Sequence, residues 1–138
     1  MMATAVRIAL VTSLILLRVE GPPMAFAAVS ENLLKNPSFE EGLQANGVPV
    51  GWSLYQQTDE LRRLELVEPG AESAHGLLIR DDSTSQEIGV YQDVPADGGL
   101  SYEAAVMVYV PEGGSAAGAY LQLRFSPGGA FEQSSLAV

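Results

Sequence analysis

The sequence predicts an all-β fold, a sandwich or barrel of short antiparallel strands. Three observations predict it. After residue 28 no long stretch holds apolar residues at helical spacing. Short runs rich in Val, Leu, Ile and Tyr recur instead, and several alternate apolar with polar residues. Between them stand clusters of Gly, Pro, Asp and Ser that carry turn chemistry.

The first segment reads as an address rather than as part of that fold. Arg7 supplies a positive start, Ile8 to Leu17 form a short apolar run, and Pro22-Pro23 ends any helix. Ala25-Phe26-Ala27 then places small residues where a signal peptidase cuts. The apolar run is about half of the ~20 residues that a membrane span needs, and Arg18 and Glu20 close it. Residues 1–27 are therefore expected to be a secretory signal peptide, with no membrane attachment after cleavage. The remaining segment, 28–138, is the expected globular unit.

Strands are expected near Leu33–Leu34, Gly51–Gln56, Leu61–Val67 and Leu77–Arg80, then at Glu87–Val94, Ser101–Val110 and Ala119–Ser126, and more weakly at Phe131–Val138. The stretch Leu61 to Leu66 also fits a helical turn. Alternation sorts the side chains into faces. Along Ser101–Val110, Tyr102, Ala104, Val106, Val108 and Val110 fall on one side, with Glu103, Ala105, Met107 and Tyr109 on the other. Along Ala119–Ser126, Leu121, Leu123 and Phe125 oppose Tyr120, Gln122 and Arg124. Along Glu87–Val94, Val90, Gln92 and Val94 oppose Tyr91 and Asp93. The apolar sets make the core.

The opposite sets combine tyrosines with Gln, Arg, Asp and Glu. Such a face can stack on the apolar side of a sugar ring and bond its hydroxyls. The same tyrosines can instead pair across strands or lie under loops, which stabilises a sheet without any ligand.

Composition narrows the function. The chain has 138 residues, a length for one domain, with 17 acidic and 7 basic residues and a formal net charge of −10. A nucleic-acid partner would need clustered Lys and Arg, so that class is excluded. With no cysteine there is no disulfide frame and no thiol chemistry. His75 is the sole histidine, and no Gly-x-Ser-x-Gly run accompanies it, so the sequence predicts no enzyme in this chain.

One motif speaks more specifically. Asn32-Leu33-Leu34-Lys35-Asn36-Pro37-Ser38-Phe39-Glu40-Glu41-Gly42 is followed by Pro49-Val50-Gly51-Trp52, and later come Val90-Tyr91-Gln92-Asp93-Val94 and Ser101-Tyr102. This pattern, covering about Asn32 to Phe125, resembles the calcium-binding jelly-roll carbohydrate-binding modules of the xylan- and β-glucan-binding type, in the galactose-binding-like superfamily.

The resemblance implies an antiparallel jelly-roll sandwich that lacks its last strands, since a further ligand-bearing strand is expected after Val138. It implies a secreted, non-catalytic module that binds a polysaccharide or oligosaccharide, serving as the N-terminal accessory of a catalytic domain in the same full-length chain. The sugar site falls on Tyr91, Tyr109, Tyr120, Gln122 and Arg124, with Tyr55 at its edge and Arg80 on the same face. For Arg80 an ion pair with Asp81 or Asp82 is the alternative. A structural Ca2+ ion (calcium) is implied at Glu40, with the backbone near Ser38. Trp52 is either a stacking ring or a structural one packed between loop and sheet. The competing function is a structural or adhesion domain of the cell envelope with no sugar site.

Overall fold

The computed structural model describes residues 31–97, 100–115 and 117–125, together with the backbone of three further strands. Among the described residues every regular element is a strand and there is no helix. The strands run β1 (Val6–Leu10), β2 (Arg18–Glu20), β3 (Ser53–Tyr55), β4 (Arg62–Val67), β5 (Gly76–Asp81), β6 (Gly89–Tyr91), β7 (Ser101–Glu103), β8 (Tyr120–Arg124) and β9 (Phe131–Ser135). The all-β expectation holds.

Pairing is antiparallel throughout. A three-stranded sheet has the order β1-β5-β4, and β2-β7, β3-β6 and β8-β9 form two-stranded ladders. In β4, Arg62 and Leu64 are buried while Arg63 and Glu65 are exposed, so the pleat sets one face inward. Across the ladder Leu64 stands opposite Ile79 and Leu66 opposite Leu77, which puts these four apolar side chains on one face.

That face meets the inner side of β3-β6. The core contains Phe39, Val48, Trp52, Leu64 and Leu77, with Leu34, Leu54, Leu66, Ile79, Ile88, Val90 and Val106 packed against it. Phe39 and Leu77 are wholly buried. Phe39 lies in left-handed backbone (φ 62°), an uncommon place for a bulky residue. Hydrogen bonds hold it there, from its own N–H to the Asn36 carbonyl and from the Gly42 N–H to its carbonyl, 3.2 Å each. The motif's phenylalanine is a core plug, and the turn around it is built for that purpose.

Several sequence expectations shift. Leu33–Leu34 forms no strand, because the Asn32 side-chain oxygen accepts the Leu34 N–H at 3.1 Å and so competes with any ladder. The Leu61–Leu66 stretch is strand and not helix. Asp59 starts it by accepting the N–H groups of both Leu61 and Arg62 at 2.9 Å. The strand at Ser101–Val110 stops at Glu103, yet the in-and-out alternation of burial continues to Val110 as the sequence predicts.

β1 and β2 fall inside the segment read as a leader, and the expected cut after Ala27 lies outside the described residues. In the uncut chain β1 pairs with β5 from Val6↔Asp81 to Leu10↔Leu77. No helix among the described residues is long and apolar enough to cross a membrane.

Candidate functional site

The outward side of β3-β6 carries the tyrosines. Ser53 stands opposite Tyr91 and Tyr55 opposite Gly89, so Tyr55 and Tyr91 share one face, diagonal to each other. Leu54 and Val90, between them in sequence, pack on the core. Tyr55 is 42% exposed and Tyr91 44%. Ile88 also packs on the core, which turns Glu87 outward beside them.

Tyr120 joins this group from β8. Its hydroxyl donates to Glu87 Oε2 at 2.9 Å. Partial burial, the Glu87 hydrogen bond and charge, and the nearby Tyr55 push the Tyr120 phenol above its ordinary range, with Arg124 opposing. The phenol therefore stays protonated and keeps donating. By alternation Gln122 and Arg124 lie on the same side of β8 as Tyr120, and both have interaction partners.

A buried cation supports the face from below. Arg62, 5% exposed, donates through Nε and Nη2 to Asp59 Oδ2 at 3.1 and 2.7 Å. Its Nη1 donates to the Glu87 carbonyl at 3.1 Å and to Gln56 Oε1 at 3.4 Å. The guanidinium thus ties the chain after β3 to the chain before β6. Asp59 is held below the usual carboxylate range, chiefly by the side-chain hydrogen bonds from Arg62.

One expected member stands apart. Arg80 lies on the outer side of β4-β5, opposite Arg63 in register and across the core from the tyrosines. Its Nε donates to Asp82 Oδ2 at 2.6 Å, so the ion-pair alternative is the one formed. Tyr109 is 57% exposed and makes no hydrogen bond or ring contact with Tyr55, Tyr91 or Tyr120. An open groove of about 290 Å³, lined by residues including Asn46, Thr58, Arg63 and Glu65, shares no residue with the tyrosine face.

Trp52 is structural. It is 7% exposed, its ring lies 5.5 Å from that of Phe39, and its Nε1–H donates to the Asn36 carbonyl at 3.0 Å. Gln92 also serves the frame, because its side-chain amide both accepts from and donates to the Lys35 main chain, at 3.0 and 2.6 Å.

Glu40 sits in a second cluster, between the motif turn and the β4-β5 connection. Its Oε1 accepts the His75 N–H at 2.8 Å, and its Oε2 lies 2.9 Å from His75 Nδ1. The other ring nitrogen, Nε2, is 3.1 Å from Glu68 Oε1. Glu40 is held below the ordinary range by these hydrogen bonds, the backbone one foremost, and His75 is held above its own, mainly by the Glu40 hydrogen bond. Gly70 is required beneath them, since a Cβ there would strike the His75 carbonyl oxygen. Among the described residues no group of three or more His, Asp or Glu side chains converges to hold a metal ion.

Sequence reasoning passed over Glu87, Arg62 and Gln56. Glu87 had a signal, since it shares parity with Tyr91. Arg62 had one too, as it shares parity with Leu64 and so had to face inward. No protein-family model, curated protein or solved structure matches the chain.

Proposed function

We propose that the chain is a secreted, non-catalytic carbohydrate-binding module of jelly-roll type, binding a β-linked polysaccharide such as xylan or a mixed β-glucan. The observation that carries this reading is the pair Tyr55 and Tyr91, both more than two-fifths exposed on one sheet face. Beside them lie the Glu87 carboxylate, which accepts from the Tyr120 hydroxyl, and Arg124 on the Tyr120 side of β8. Aromatic faces supply apolar contact with a sugar ring, and the planar polar groups fix its hydroxyls. Two rings set diagonally on a sheet suit a chain better than a monosaccharide.

The reading extends to a catalytic domain in the same full-length chain and to a structural calcium at Glu40. The His75 ring sits between the Glu40 and Glu68 carboxylates, a position where a cation is favourable. For calcium to bind there, Glu40 must release His75.

Calorimetry against soluble xylan, mixed β-glucan and their oligosaccharides tests the glycan. Kd values are expected between about micromolar and millimolar, with Tyr55→Ala and Tyr91→Ala each weakening binding about tenfold at an unchanged melting temperature. No binding to any glycan of the panel would favour the structural-domain reading instead. A melting temperature that rises with calcium, and does not in Glu40→Gln, is expected for the ion. Equal melts with calcium and with chelator would remove it.

A further inference from the structure

The tyrosine face has a gap in its row of side chains. Gly89 stands opposite Tyr55, two residues from Tyr91 on one side and two from Glu87 on the other. A Cβ added to Gly89 would meet nothing within 4 Å, and its backbone is not in the left-handed region. Neither packing nor chain conformation therefore requires glycine here. Gly89 opens β6 as the last ladder pair with Tyr55, where a glycine costs chain entropy and leaves the pair without side-chain packing, and one reason to find it there is the close approach of a ligand to the backbone.

We infer that Gly89 is the floor of a sugar subsite, where one uncharged pyranose ring lies against bare backbone between Tyr55 and Tyr91 and donates a hydroxyl to Glu87. This inference rests on the glycan reading and adds to it the place and the class of ring. Glu87 lies two residues before β6 and Tyr91 at its end, and four residues of extended chain span about 13 Å, room for a ring with its hydroxyls. The Tyr120 hydroxyl holds Glu87 Oε2, and the Arg62 guanidinium holds the Glu87 carbonyl. The acceptor is thus fixed before any ligand arrives, which lowers the ordering cost of binding. A carboxylate at this position repels a uronic acid, so the subsite takes a neutral ring.

The test uses the full chain with Gly89→Ala and Gly89→Val, measured by calorimetry against xylan and mixed β-glucan and by thermal melting. Gly89→Val is expected to melt within about 2 °C of the unsubstituted chain and to bind at least about tenfold more weakly, with Gly89→Ala between them. Unchanged affinity in Gly89→Val, while the unsubstituted chain binds, overturns the inference and leaves the glycan reading standing. A melting temperature lowered well beyond that margin also overturns it, because packing would then explain the glycine. Tighter binding of polygalacturonate than of neutral chains overturns the role of Glu87. If the unsubstituted chain binds no glycan, both fall.

Discussion

The indole Nε1–H of Trp52 donates to the main-chain carbonyl of Asn36 at 3.0 Å, and both residues are buried. Sixteen positions apart, they bind the two halves of the opening motif into one unit. The Asn36 side chain completes it, with Nδ2 donating to the Val50 carbonyl at 2.8 Å and Oδ1 accepting the Glu41 N–H at 3.2 Å. The turn that carries Phe39 into the core is therefore fastened to the loop that leads into β3.

Asn36→Ala leaves the Val50 carbonyl and the Glu41 N–H without these partners. Asn36 also holds left-handed backbone (φ 45°), which asparagine tolerates better than alanine. A loss of about 2–3 kcal/mol is expected, several degrees in melting temperature. Denaturant unfolding monitored by Trp52 fluorescence measures it, and a change below about 0.5 kcal/mol would remove this role for Asn36.

Arg62 is a cross-brace between β4 and the edges of β3-β6. Arg62→Ala removes its hydrogen bonds to Asp59, Gln56 and the Glu87 carbonyl together. Breaking such a buried network is expected to cost about 3 kcal/mol. Because Glu87 accepts from Tyr120, the same substitution should also raise the Kd for glycan under conditions where the chain is still folded. Stability lost with an unchanged Kd would confine Arg62 to the frame.

The Glu40–His75 pair makes stability depend on pH, with a sign on each side. His75 is held above its ordinary value of 6.5, mainly by the Glu40 hydrogen bond. Its contribution is full below 6.5 and is lost as pH climbs through the raised folded value. Glu40 is held below its ordinary 4.5, mainly by the His75 backbone N–H. Its contribution is present above 4.5 and is lost as pH falls through the lowered value. In calcium-free buffer the melting temperature should be highest between these ordinary values. His75→Gln should flatten the alkaline side, and an alkaline slope identical in that variant would show that other groups set it.

The strand pattern was legible because its cause is local. Alternation in Arg62–Val67 and in Glu87–Val94, and the turn residues between runs, follow from side-chain direction and backbone sterics that act within a few residues. Tyr91 could be placed opposite Val90 and Gln92 the same way, whereas its sharing a face with Tyr55 came from the β3-β6 register. The strand expected at Leu33–Leu34 failed where Asn32 captured its own chain.

Tertiary structure alone decided which faces look the same way. Arg80 alternates as a candidate for the site, yet register with Arg63 puts it across the core from Tyr55. Trp52 could stack on a ligand or pack in the frame, and its ring against Phe39 and its N–H on Asn36 decide for the frame. Glu87 becomes a fixed acceptor only because β8 delivers Tyr120, thirty-three positions away, to its carboxylate. Alternation tells a strand which side chains it shares a face with. Only the packing of one sheet on another tells which of those faces meets solvent, and therefore which can meet a ligand.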